Sequence, residues 1–140
     1  MAKNIRTLVA AAVVPLLLSV GTASAAQDPV ADIYFGDIPC ALALDTVEGT
    51  INNAWLNGQF LTGNAYTNYT NLMGKLAGAG IKLKENKVGD AYLLLDAIMD
   101  KATEWSSILP PQKKKLTEAA AADINRDTLQ AILCTGYQPL

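Results

Sequence analysis

The chain has 140 residues, with 11 Lys and Arg against 13 Asp and Glu, and it contains no His. A formal net charge of −2 at pH 7 excludes the broad basic surface that nucleic acid requires. The lack of His removes the commonest general base and the commonest metal ligand. The sequence therefore predicts a protein without nucleic-acid partner, cofactor or metal site.

The N-terminal segment has the pattern of a secretory signal peptide. Lys3 and Arg6 precede an apolar run over residues 8–20, and small residues at 23–25 fit a cleavage site. A membrane anchor is the alternative, but the apolar run is short for a span and contains a proline. Residues 1–25 are therefore predicted to be removed on export, which leaves a secreted or periplasmic chain that does not insert into the membrane.

Residues 26–39 contain two prolines and several aspartates, and they are predicted to form an extended lead-in. A first helix is predicted over residues 40–59, followed by a turn at Gly58 and Gly63. Its apolar stripe consists of Ala43, Val47, Ile51, Ala54 and Trp55. A second helix is predicted over residues 64–85. Three glycines, Gly74, Gly78 and Gly80, either weaken this helix or let a neighbour approach closely.

Residues 85–105 show the most regular amphipathic pattern, and Asn86 is expected to cap the start of this third helix. Apolar residues recur at steps of three and four, while charged residues occupy the other side. The predicted buried stripe is Ala91, Leu94, Leu95, Ile98, Ala102 and Trp105. Two prolines then break the chain, and a fourth helix is predicted over residues 116–134. No window alternates with period two, which argues against a sheet.

These elements predict an all-α protein: a small antiparallel four-helix bundle over residues 40–135, with a short tail at 136–140. Cys40 and Cys134 lie near the two ends of the bundle. In an exported chain such a pair predicts a disulfide that joins the first helix to the last. Closing so long a loop restricts the unfolded chain by about 4 to 5 kcal/mol. A reactive thiol pair is the alternative, but the chain has no C-x-x-C spacing.

Several short words of the sequence match one known family. They are a "GQ" turn, a small-residue helix ending in "LMGKL", a "DAYLLLDAI" helix and a final "LTEAAAADI" helix. Over residues 42–133 this pattern resembles the FIMAH-type helical module of large secreted bacterial proteins. The resemblance implies an all-helical accessory or interaction module and supplies no catalytic residues. The cysteine pair, and a module that fills nearly the whole mature chain, depart from the family pattern.

Three features that imitate chemical sites are better explained by structure. Asp96 and Asp100 lie one turn apart, yet they share a charged helix face, which predicts a solvated surface. Residues 123–128, "DINRDT", match the first places of a calcium loop, but Thr128 and Cys134 stand where glycine and glutamate are required. The lysine run at residues 113–115 is expected to be a solvated helix start or loop. No catalytic residues are predicted, and an enzyme is the third and weakest hypothesis.

Amides and aromatic residues alternate across the predicted corner between the first and second helices. The candidate binding residues there are Trp55, Asn57, Asn64, Tyr66 and Asn68. Aromatic faces beside amide groups suit a sugar or a protein interface. The alternative is that the aromatics belong to the core and the asparagines to caps and the turn. The first functional hypothesis is an exported, non-enzymatic module that binds a protein or an envelope glycan. The alternative is a carrier that holds a small apolar ligand in the bundle core.

Overall fold

The computed structural model describes residues 28–139, and it contains four α-helices. Helix α1 spans Ala41–Leu56, α2 spans Ala65–Lys84, α3 spans Val88–Ser106 and α4 spans Glu118–Thr135. Each helix packs against the next, and α4 packs back against α1, so the four close into one bundle. No strand forms within residues 28–139, where Phe60 and Leu116 make an isolated antiparallel bridge. The predicted all-α bundle is confirmed.

One core runs through the bundle, and it is built from the apolar stripes of all four helices. The largest fully buried side chains include Tyr69, Leu44, Ile51, Leu72, Met73, Leu76, Leu95, Ile98, Leu116 and Ile124. Leu95 is fully buried, as its place at the centre of the α3 stripe predicts. Leu94 was predicted to share that burial but is only half-buried, because it lies at the edge of the stripe, against Gly78 of α2.

The glycines of α2 divide into two kinds. A Cβ added at Gly80 would lie 2.8 Å from the ring of Phe35, and one added at Gly78 would lie 3.1 Å from Leu94. At Gly74 an added Cβ would meet nothing within 4 Å. Two of the three glycines therefore admit close neighbours, while Gly74 only weakens the helix.

Asn86 was predicted to cap the start of α3, and this prediction was wrong. Asn86 instead takes a left-handed conformation with φ 62 just beyond α2, and Lys87 occupies the N-cap position of α3. The Lys87 N–H donates to the carbonyl of Lys82, and the Asn86 N–H donates to that of Leu83. This is a Schellman ending of α2, which Asn supports because it tolerates positive φ better than most residues.

The disulfide is formed as predicted. Cys40 precedes α1 and Cys134 lies in the last turn of α4, with their Cα atoms 5.9 Å apart and 94 positions apart in sequence. It covalently joins the two ends of the bundle, which limits the freedom of the unfolded chain.

The described part of the lead-in has no helix or strand up to residue 35 and then forms turns over residues 36–39, which differs from the extended segment predicted there. It packs against α1 and α2. Phe35 is 3% exposed and fits the space that Gly80 leaves open. The Val30 N–H donates to the Tyr69 hydroxyl at 2.9 Å, and the Ile33 N–H donates to the Glu48 carboxylate at 2.6 Å. The lead-in thus contributes a layer of the fold.

None of the helices within residues 28–139 combines the length and the apolar character needed to cross a membrane. The predicted signal peptide, residues 1–25, lies outside the described residues.

Candidate functional site

The corner between α1 and α2 is built around a cluster of four aromatic rings. The Trp55 ring stacks on that of Tyr69, with centroids 5.1 Å apart and planes 9° apart. Tyr66 meets Trp55 edge-on at 5.3 Å, and Phe60 meets Tyr69 edge-on at 5.7 Å. Stacked and edge-on pairs of this kind stabilise each other beyond simple burial. The cluster is therefore formed by contacts within the protein, before anything binds to it.

Tyr69 is the structural centre of the cluster. It is fully buried, and its hydroxyl donates to the Asn52 side chain while it accepts from the Val30 N–H. Burial raises the pKa of the Tyr69 hydroxyl, and the Val30 hydrogen bond partly opposes that shift. The hydroxyl therefore stays protonated and joins α1, α2 and the lead-in.

The five predicted binding residues divide by exposure. Trp55 and Tyr66 are half-buried and lie in contact, so they form the accessible margin of the aromatic cluster. Asn57 and Asn64 are exposed at the end of α1 and the start of α2. Asn68 is half-buried, and its buried amide nitrogen has no hydrogen-bond partner among residues 28–139. Together these five residues define what we call the corner surface.

The turn that carries the corner surface is fixed by local chemistry. Gly58 adopts φ 70, and the Gln59 and Gly58 N–H groups donate to carbonyls of the last turn of α1. This is a second Schellman ending, with Asn57 at the C-cap position and glycine where positive φ is needed. Asn64, at the N-cap position of α2, makes no side-chain capping bond. Its amide therefore does not serve as the cap that the structural alternative proposed.

A groove beside the corner surface was not anticipated from the sequence. It runs between the α1–α2 link and the α3–α4 link, and it has a volume of about 520 Å³. Its lining comprises Leu61, Thr62, Ile108, Pro110, Pro111, Gln112, Lys113 and Lys114. A neighbouring cavity of about 460 Å³ extends it to Asn64 and Lys115. We call this combined feature the loop groove. Its two walls lie far apart in sequence, so no local pattern indicates it.

Glu48 was also missed, although its spacing from Leu44 and Ile51 places it on the buried face of α1. It is 7% exposed, and its carboxylate accepts from the Ile33 N–H. Burial raises the pKa of the Glu48 carboxyl, the hydrogen bond from Ile33 lowers it, and nearby Asp32 and Asp45 raise it further. This acid belongs to the attachment of the lead-in.

Of the three features that imitate chemical sites, the Asp96 and Asp100 pair lies on α3 and the segment 123–128 lies on α4, whereas the lysine run lies in a loop. Asp123, Asn125 and Asp127 all belong to α4, so the predicted continuation of the helix holds and no loop wraps an ion there. Asp127 accepts from Arg126 and from Thr50, and the Arg126 hydrogen bond lowers the pKa of its carboxyl. Within residues 28–139 no group of three or more acidic or Cys side chains is arranged to hold a metal ion. The three lysines at residues 113–115 lie in the loop before α4.

Comparison with known proteins identifies no relative: no family, no curated protein and no solved structure matches the chain. The resemblance to FIMAH-type modules therefore stays a prediction.

Proposed function

We propose that this protein is an exported, non-enzymatic helical module that binds a partner through the corner surface. The observation that carries the proposal is the packed aromatic cluster, whose accessible members are Trp55 and Tyr66. Aromatic side chains held in place before binding lose little entropy when they dock. The exposed amides of Asn57 and Asn64 add the direction that apolar contact lacks.

The geometry favours a protein over an envelope glycan as the partner. Sugars bind best to open aromatic faces, whereas Trp55 and Tyr66 are half-buried and pack against each other. What is left for a partner is a firm apolar margin, which suits the centre of a protein interface. Leu56, 63% exposed on the last turn of α1, adds apolar area beside it.

The chemistry of the chain supports a role without catalysis. There is no His in the sequence, and both cysteines are held in the disulfide. The usual general base and the most nucleophilic side chain are therefore missing. The family resemblance, which implies an accessory or interaction module, points the same way.

Export is supported by the disulfide, because such bonds persist in oxidising compartments outside the cytosol. Fractionation of the producing cells, with intact-mass measurement of the protein, tests it. The expected form begins at Ala26 and occurs in the periplasm or the medium. A full-length chain retained in the cytosol would contradict export. It would not decide the binding proposal, which has a separate test.

The binding proposal is tested by truncating Tyr66. The partner is captured from the exported fraction, and its affinity is then measured for the wild type and for Tyr66→Ala. We expect Tyr66→Ala to weaken binding by about 2 kcal/mol or more, the range of interface hot spots. The thermal midpoint should fall by only a few degrees, because Tyr66 lies at the margin of the cluster.

Tyr34→Ala is the matched control, since Tyr34 is 89% exposed in the lead-in and lies outside the corner surface. It should leave binding unchanged. Equal affinity of the wild type and Tyr66→Ala, or equal losses in both variants, would overturn the proposal. If the protein instead sediments with isolated cell-wall glycan, and Tyr66→Ala weakens this binding, the partner of the corner surface is a glycan.

A further inference from the structure

The loop groove combines an apolar floor with a cationic rim. Leu61, Ile108 and Pro110 contribute apolar surface, and Lys113 and Lys115 contribute positive charge. A volume of about 520 Å³ falls within the range of small-molecule sites. The apolar part can cover an aliphatic chain, and the lysines can hold a negative head group.

Hydrogen bonds between its walls form the groove in advance of binding. The Leu61 N–H donates to the Lys115 carbonyl at 2.9 Å, and the Thr117 N–H donates to Gln59 at 3.1 Å. On the other side, the Lys115 N–H donates to the last turn of α3 at Trp105, again at 2.9 Å. The α1–α2 and α3–α4 links are therefore fixed by hydrogen bonds between them. A ligand would not have to supply the free energy needed to order these links.

The charges around the groove favour an anion. The Lys114 ammonium is already engaged: it donates to the carbonyls of Ser106 and Ile108 and lies 3.3 Å from Glu118. Lys113 and Lys115 have no acidic group within ion-pair distance among residues 28–139. Both ammonium groups are therefore free to meet an anion beside the apolar floor. An anionic head group would complement them.

We infer that the loop groove binds a free aliphatic carboxylate, with the chain over Leu61 and Ile108 and the carboxylate between Lys113 and Lys115. This site differs from the bundle-core site of the carrier hypothesis, because it lies between loops at one end of the bundle. It shares only Asn64 with the corner surface and does not include Tyr66, so Tyr66→Ala should leave it intact.

The test uses decanoate as the probe and NMR spectroscopy of the isotope-labelled protein. Decanoate should shift the amide signals of residues 61–62 and 108–115, and hexanoate should bind more weakly by about fourfold for each methylene removed. Nonyltrimethylammonium, which has the same nine-carbon tail and the opposite charge, should bind far less tightly than decanoate.

Charge reversal then tests the lysines. Lys113→Glu combined with Lys115→Glu should raise the dissociation constant for decanoate by about tenfold or more. The control is Lys75→Glu combined with Lys101→Glu, which makes the same change in net charge on α2 and α3. This control should have little effect on decanoate binding. Signals that shift only in the bundle core, or equal binding of the cationic probe, would overturn the inference. Tight binding to phosphatidylglycerol vesicles without binding of decanoate would also overturn it, in favour of a membrane surface.

Discussion

Glu48 shows how a single side chain can oppose the fold that it helps to build. Its carboxylate anchors the lead-in through Ile33, yet it is buried with no Lys or Arg within ion-pair distance among residues 28–139. Burial raises its pKa, so the folded state binds the proton more tightly than the unfolded state does. Its favourable contribution to stability is therefore complete below its ordinary pKa and is lost as the pH rises through the folded value.

We predict that Glu48→Gln increases the free energy of unfolding at pH 7. Glutamine keeps an oxygen that can accept from Ile33 and removes the buried charge, so the thermal midpoint should rise by a few degrees. Below about pH 4 the wild-type carboxyl is protonated, and the difference between the two proteins should vanish.

Chemical denaturation over this pH range measures the effect, with Glu104→Gln as the control on an exposed acid. The control should leave the pH dependence nearly unchanged. A less stable Glu48→Gln variant at pH 7 would show that the charged hydrogen bond to Ile33 outweighs the burial of the charge.

Two leucines in the run at residues 93–95 allow the effect of burial on stability to be distinguished from the effect of residue type. Leu95 is fully buried, whereas Leu93 is 63% exposed on the same helix. Leu95→Ala should lower the free energy of unfolding by about 2 to 5 kcal/mol, because it removes packed methyl groups and leaves a cavity. Leu93→Ala makes the same chemical change and should stay within about 0.5 kcal/mol. Similar losses in denaturant titrations of both variants would mean that the buried face of α3 is wrongly assigned.

Helix α2 offers a second matched pair, at Gly74 and Gly80. Alanine at Gly74 meets open space, so Gly74→Ala should stabilise the protein by about 0.5 to 1 kcal/mol through helix propensity. Alanine at Gly80 would press on the Phe35 ring and displace the lead-in, so Gly80→Ala should destabilise the protein. Thermal unfolding of both variants decides this. Stabilisation by Gly80→Ala would show that the lead-in is not packed against α2.

The helices could be predicted from the sequence because each buries one stripe, and a stripe is a local pattern. The positions of Val47, Leu95 and Ile124 follow from spacing alone. The ends of helices were less certain. Asn86 fits an N-cap and a left-handed C-terminal position equally well in sequence, and the hydrogen bonds to the end of α2 decide between them.

The candidate site was only partly predictable for the same reason. The corner surface lies within one stretch of chain, so its aromatics and amides could be recognised together. The loop groove joins residues 61–62 to residues 108–115, and Glu48 joins α1 to the lead-in. Contacts between distant segments leave no periodic signal. The disulfide was the exception, because a chain with two cysteines offers a single intramolecular pairing.

The molecule as a whole is a disulfide-linked bundle with two candidate binding features at one set of helix links. The disulfide joins the ends of α1 and α4, the lead-in covers α1 and α2, and the two features open to a ligand or partner lie at the links between helices. The bundle holds these links in place. We propose that the corner surface, and not an arbitrary apolar patch, contacts the partner.

Photo-crosslinking in the producing cells tests whether the corner surface contacts the partner. Leu56, on the corner, and Leu93, on α3, are both 63% exposed, so a photoreactive phenylalanine analogue at either position samples its surroundings equally well. We predict one discrete crosslinked protein from position 56, lost when Tyr66→Ala is added, and no such product from position 93. The same product from both positions, or a product from position 93 alone, would show that the corner surface is not the contact site.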